Sequence, residues 1–181
     1  MKKEKSTREH ILDTALTIAS SRGLKELTQT NVAAAAGVRQ SHLTYYFPLK
    51  SDLLAAVLKA SHDNHNAKDD KNSKLNDIQP NPDRAIQIIE EIFLNRNRLS
   101  FFLGVLAESI DENELRSVLK SHMDEFSKEI CVLFGKNESD QSVDSFLDHM
   151  RGVCFSKLLV KSKSKSIDVD VRKIAKLHKL I

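Results

Sequence analysis

The sequence predicts an all-α protein: an N-terminal three-helix bundle with a helix-turn-helix, followed by a larger helical domain. Three observations carry this reading. Gly and Pro together number eight in 181 residues, so few turns are signposted. Trp is absent and Tyr occurs twice, which leaves strands without the aromatics they favour. Apolar residues recur at intervals of three and four through most of the chain.

The first helix is expected to begin near Ser6. In "STRE", Ser6 stands three residues before Glu9, the spacing of a capping box. Ile11, Leu12, Ala15, Ile18 and Ala19 follow at helical spacing, and Gly23 is the expected stop. Leu24 and Leu27 are placed to anchor the next turn. Thr28 can cap a second helix, "QTNVAAAAG", whose four alanines form helix readily and admit a close neighbour. Gly37 gives a sharp exit, and Val38 is a candidate buried plug in the turn.

A third, short helix is expected from about Arg39 to Tyr46, within "GVRQSHLTYYFPLKSDLL". Leu43 and Phe47, four apart, can face inward, while Gln40, His42, Thr44 and Tyr45 supply outward or flanking groups. Helix, glycine turn and short polar helix make a helix-turn-helix, whose second member enters the major groove of DNA. Reading there needs hydrogen-bonding side chains. The polar cluster is therefore a candidate reading surface, braced by the aromatics that follow it.

A fourth helix is expected from about Lys50 to about Asp69, with Leu53, Leu54, Val57 and Leu58 as its stripe. Residues 69–83 are polar, hold two of the three prolines and read as a connector. Residues 84–110 read as one helix or a kinked pair. Residues 113–134 read as a long helix, with Leu115, Val118, Leu119, Met123, Phe126, Ile130 and Leu133 near one side. In 141–162, Phe146, Leu147, Met150, Val153, Cys154, Leu158 and Leu159 give a broad apolar face. A polar connector, "KSKSKSIDVD", then leads to a basic amphipathic helix over 169–180.

Net charge is +3, and its distribution is uneven. Residues 1–62 hold nine Lys/Arg and five Asp/Glu, a net of +4, whereas 63–181 carry a net of −1. A basic head on a near-neutral body suits an anionic partner for the head alone. Cys131 and Cys154 form no CxxC pair and lie in apolar helical sequence, which suggests buried thiols and a reducing, cytoplasmic setting. The opening "MKKEKSTREH" lacks the apolar run of a signal peptide. No apolar run approaches the length of a membrane span.

Over residues 8–58 the sequence resembles the TetR family, the tetracycline-repressor-like transcriptional regulators. Gly23, Thr28, Val32, Ala33, Ala36, Gly37, Val38, Leu43, Tyr46, Phe47, Lys50 and Leu53 fall in register with the family pattern. Thr44 stands where the first family tyrosine is usual, Arg39 where a small hydroxyl residue is usual, and Leu49 where a polar residue is usual. Arg39 and Leu49 are poor helix caps.

The resemblance implies a DNA-binding domain at 1–48 and an effector-binding and dimerisation domain at 49–181. It implies a homodimer joined through its last two long helices, and a ligand-responsive repressor that binds a double-stranded DNA operator. Activation, corepressor-dependent regulation, or a ligand-unresponsive architectural module remain as alternatives.

Gln40, Ser41 and His42 are the candidate base readers, Gln for a bidentate pair with adenine. Arg39 suits guanine or a phosphate. Thr28 suits its cap and a phosphate together. Thr44 flanks the readers. Tyr45 and Tyr46 carry hydroxyls that can reach phosphates, although either could instead be core. Lys50, at a helix start, resembles the family's backbone-contacting lysine.

No catalytic constellation, glycine-rich phosphate loop or cofactor motif is visible. His62, Asp63, His65 and Asp69 lack a fixed fourth metal ligand, so no metal is expected. His149 and Cys154, five apart, do not face each other neatly. The effector is expected to be largely apolar. Phe93, Phe101, Phe102, Met123, Phe126 and Met150 could line its pocket, but they serve equally well as core.

Overall fold

The structure, a computed structural model, describes residues 6–66 and 79–181, with the side chains of 61–66 left aside. The described residues are all-helical, as the sequence predicts. In order they form α1 (Thr7–Arg22), a 3-10 turn (Leu24–Glu26), α2 (Gln29–Ala35), α3 (Gln40–Tyr46), α4 (Lys50–Asn66), α5 (Pro82–Phe93), α6 (Arg96–Glu108), α7 (Asn113–Leu133), α8 (Gln141–Leu158) and α9 (Val171–Leu177). Their contacts gather into two compact units along the chain. One is drawn from residues 1–64 and 100–120, the other from 65–99 and 121–181.

In the first unit, α1 starts on the expected capping box. Ser6 Oγ accepts the Glu9 N–H at 3.3 Å, and the Glu9 carboxylate accepts the Ser6 N–H at 2.8 Å. Ile11, Ala15, Ile18 and Ala19 are buried. Leu27 is buried as expected, whereas Leu24 is half-buried on the 3-10 turn.

A Schellman motif ends α2. The Val38 N–H donates to Ala33 O at 3.0 Å and the Gly37 N–H to Ala34 O at 3.2 Å, with Gly37 at φ +65°. Only glycine takes that conformation without steric cost. Val38 is half-buried, so it flanks the turn rather than plugging it. The α4 stripe Leu53, Leu54, Val57 and Leu58 is buried throughout. Residues 67–69, where that helix was expected to continue, lie outside the described residues.

In the second unit, α5 begins earlier than the sequence reading placed it. Asn81 Oδ1 accepts the Arg84 N–H at 3.0 Å, and Pro82 takes the first helical position, where a missing N–H is harmless. The rest of the expected connector, as far as residue 78, lies outside the described residues.

The stretch 84–110 proves to be two helices. Asn95 Oδ1 accepts the N–H groups of Asn97 and Arg98 at 3.0 and 3.1 Å, opening α6. The connector after α8 is pinned to this corner: the Ile167 N–H donates to Leu94 O at 2.7 Å and the Arg96 N–H to Lys165 O at 2.9 Å. The Arg96 guanidinium also donates to the carbonyls of Lys157 and Val160, closing the end of α8.

The core of the second unit joins Ile86, Ile89, Phe93, Ile130, Phe146, Leu147, Met150, Cys154 and Ile174, with Phe134 edge-on to Phe146. Two expectations fail here. Leu159 is 88% exposed, because α8 ends at Leu158. The last helix is shorter than 169–180. Asp170 caps its start, and Lys179 in the left-handed conformation (φ +57°) ends it, with the Leu180 N–H bonded to Ala175 O at 3.1 Å.

Candidate nucleic-acid interface

The interface candidate is built on α2, the turn and α3. Thr28 has extended backbone, and its hydroxyl oxygen accepts the Asn31 N–H at 3.1 Å, capping α2. Arg39 stands at the cap position of α3 and makes no side-chain cap bond there. The first turn of α3 is closed by backbone alone, with the N–H groups of His42 and Leu43 donating to Arg39 O at 2.9 and 3.2 Å.

Leu43 on α3 and Phe47 at its C-terminal cap are buried, and Gln40, Ser41, His42, Tyr45 and Tyr46 are exposed. Thr44 is half-buried, and its hydroxyl donates to Gln40 O at 3.1 Å. One face of α3 is thus anchored while the other presents its polar groups to solvent. Neither tyrosine is core: Tyr45 is 79% exposed and Tyr46 37%, with their rings edge-to-face at 5.1 Å.

Several bonds hold this arrangement that the sequence reading did not name. Gln29, on α2, donates through Nε2 to Phe47 O at 2.7 Å and Pro48 O at 3.2 Å, fastening the end of α3 to α2. His10 Nε2 lies 3.1 Å from Ala36 O, tying α1 to the end of α2. The Arg8 guanidinium sits 5.2 Å from the centre of the Phe47 ring. Leu49 has no capping side chain of its own. Asp52, three residues on, accepts its N–H at 2.8 Å instead. That spacing was readable as half a capping box; the Gln29 bond, 18 residues long-range, had no local signal.

Residues 28–48 contain no carboxylate, and Arg39 lies exposed at their centre. These residues themselves carry only positive formal charge, which suits an anionic partner. Lys50 opens α4 and is exposed, and its ammonium is paired with the carboxylate of Glu108.

The other candidate chemistry does not gather. Among the described residues no group of three or more His, Cys, Asp or Glu could hold a metal. The His62, Asp63, His65 and Asp69 side chains lie outside the described residues. His149 Nδ1 meets His178 Nε2 at 3.1 Å, while Cys154 is buried. Burial pushes the Cys154 thiol up to about 11 and raises that of Cys131, so both are poor nucleophiles.

The sequence model of the family described as "Bacterial regulatory proteins, tetR family" matches residues 11–57, the span that carries α2, the turn and α3. Over residues 11–57 the chain is thus similar to the TetR family. A relative, the HTH-type transcriptional regulator AcrR of Shigella flexneri, is 38% identical over 58 residues, which are 32% of this chain and 27% of that one. The matched stretch thus spans about a quarter of that relative's length.

Similarity of fold extends further. A transcriptional regulator of Saccharomonospora viridis in complex with choline matches with a TM-score of 0.64 at 20% identity, covering 95% of this chain and 93% of that one. The multidrug binding protein EbrR complexed with ethidium matches at 0.63 and 19%, covering 99% and 100%. A TetR-family member of Streptomyces coelicolor A3 matches at 0.63 and 19%, covering 98% and 99%. Among the described residues no helix is long and apolar enough to cross a membrane.

Proposed function

We propose that this chain is a TetR-family regulator, a sequence-specific DNA-binding repressor that acts as a homodimer and responds to a small molecule. The observation that carries the reading is α3 itself: a short helix with Leu43 and Phe47 buried on one side and Gln40, Ser41 and His42 offered to solvent on the other. It lies inside the stretch that the family model matches. Groups of this kind read base edges in the major groove. Thr28, Tyr45, Tyr46 and Lys50 flank them and serve as phosphate anchors. Arg39 takes a base or a phosphate, and Thr44 supports the readers.

Residues 1–48 act as the DNA-binding head and 49–181 as the effector-binding and dimerisation part. Dimerisation draws support from exposed apolar residues of the second unit: Leu159, Val160, Leu177 and Ile181. Two heads must fit successive major grooves, roughly 34–36 Å apart. An effector that changes their spacing releases the operator.

The effector is read as a largely apolar molecule, because the second-unit core is aliphatic and phenylalanine-rich. Relatives of the same fold hold choline and ethidium. The protein works in the cytoplasm as a binder of DNA, not as an enzyme.

Selection of duplexes from a random pool tests the reading. Enrichment of a palindrome with half-sites one helical turn apart, bound by a dimer, is expected. A pool that emerges without an enriched site refutes sequence-specific binding.

A further inference from the structure

The ammonium of Lys50 is already engaged. It pairs with the carboxylate of Glu108, the last residue of α6, 58 positions along the chain. One helical turn earlier on the same face of α6, Gly104 meets Leu24, where a Cβ would lie only 2.0 Å from Leu24 Cδ2. Within the first compact unit, the end of α6 is therefore fastened at two points. One is apolar, against the 3-10 turn; the other is ionic, at the start of α4.

We propose that Glu108 is an internal competitor of the DNA backbone for Lys50. The inference rests on the reading of Lys50 as a phosphate anchor. A carboxylate and a phosphodiester offer an ammonium the same thing, an anionic oxygen. Lys carries three N–H donors, but two anions gathered on one ammonium lie within a few ångströms of each other and repel. Binding of DNA at Lys50 therefore requires Glu108 to withdraw, and the free protein holds Lys50 back from the backbone.

The strength of the pair suits an exchange. Its side chains are 45% and 42% exposed, so water and salt screen it and leave it weak enough to be displaced. Because the carboxylate stands on the last turn of α6, the position of that turn sets how free Lys50 is. Glu108 is thereby a determinant of DNA affinity that touches no DNA.

The test uses full-length protein and anisotropy titrations on a random-sequence duplex at low salt, since a phosphate contact is sequence-independent. Four chains are compared: the natural one, Glu108→Gln, Lys50→Gln and the double variant. Glu108→Gln is expected to bind about two- to fivefold tighter per subunit, the range an exposed ion pair spans. That gain should shrink as salt rises. Lys50→Gln should bind more weakly, and Glu108→Gln should add nothing to it.

A Glu108→Gln chain that binds no tighter than the natural one, while Lys50→Gln weakens binding, overturns the competition and leaves the anchor reading standing. An equal gain in both backgrounds overturns it too, since that is the effect of charge alone. Lys50→Gln without effect removes the anchor, and the proposal with it. A natural chain that binds no duplex refutes the functional reading as a whole. Thermal melts of each variant check that the exposed substitutions leave the fold intact.

Discussion

Leu24 occupies the space that a side chain on Gly104 would need. A Cβ at Gly104 would lie 2.0 Å from Leu24 Cδ2, 3.1 Å from Cγ and 3.2 Å from Cβ. Gly104 lies inside α6, where glycine costs about 0.5–1 kcal/mol relative to alanine, so the close approach offsets a local penalty. Gly104→Leu should destabilise the protein by about 1–3 kcal/mol through overpacking. Adding Leu24→Ala should restore part of that loss, because the two residues share the space. Urea unfolding of the three variants measures both effects. Full stability of Gly104→Leu alone would mean that Leu24 moves aside freely.

The two cysteines predict a pH dependence. Burial holds the Cys154 thiol at about 11 against an ordinary 9.0, and raises that of Cys131 from the same value. A thiol raised in the folded state binds its proton more tightly there than in the unfolded chain. Its contribution to stability is complete below pH 9.0 and is lost as pH climbs toward about 11. Stability should therefore decline across that window, and Cys154→Ser or Cys154→Ala should flatten the decline. At neutral pH a disulfide-exchange reagent should modify neither thiol except through unfolding. Fast, stoichiometric labelling of native protein would contradict the burial.

What the sequence disclosed depended on whether a feature was local. The capping box at Ser6, the glycine stop at Gly37 and the buried pair Leu43 and Phe47 each rest on residues a few positions apart, and all three appear in the structure. The Gln29 bond to Phe47 O and the Lys50–Glu108 pair join residues 18 and 58 apart, and no spacing rule points to them. The end of α9 was hidden for another reason. Lys179 adopts the left-handed conformation that glycine usually supplies, held there as Leu180 is buried. Leu159 continued the apolar rhythm of α8 but stands one residue past its end, where periodicity no longer says which way a side chain points.

Two residues at the start of α2, its cap Thr28 and its first residue Gln29, should matter without reading any base. Thr28→Ala removes the cap and should cost about 1 kcal/mol, whereas Thr28→Ser should keep it. Gln29→Ala frees the carbonyls of Phe47 and Pro48 and should cost about 0.5–1.5 kcal/mol for the net loss of a hydrogen bond. Because Gln29 fixes the end of α3, its loss should also weaken DNA binding while helix content by circular dichroism stays constant. Unchanged affinity in Gln29→Ala would show that α3 holds its place without the clamp.

The last prediction separates readers from anchors. Gln40 and His42 are exposed on the outer face of α3, so replacing either with Ala should relax preference at one or two base pairs. The expected cost is about 1–3 kcal/mol for a lost bidentate base contact, and less for a single bond. Tyr46 differs: it stands at the end of α3 with its ring against Tyr45. Tyr46→Phe removes only the hydroxyl, and should lower affinity for all duplexes together, because phosphates are alike everywhere. Lys50→Gln should do the same and reduce the salt slope by about one unit per subunit contact. Titrations on a selected operator and its scrambled counterpart, at several salt concentrations, resolve the two classes. If Gln40→Ala and His42→Ala both leave the operator-to-scrambled ratio untouched, base reading does not reside in those side chains. Selectivity would then have to come from Arg39, Ser41 or Thr44, or from the shape of the DNA.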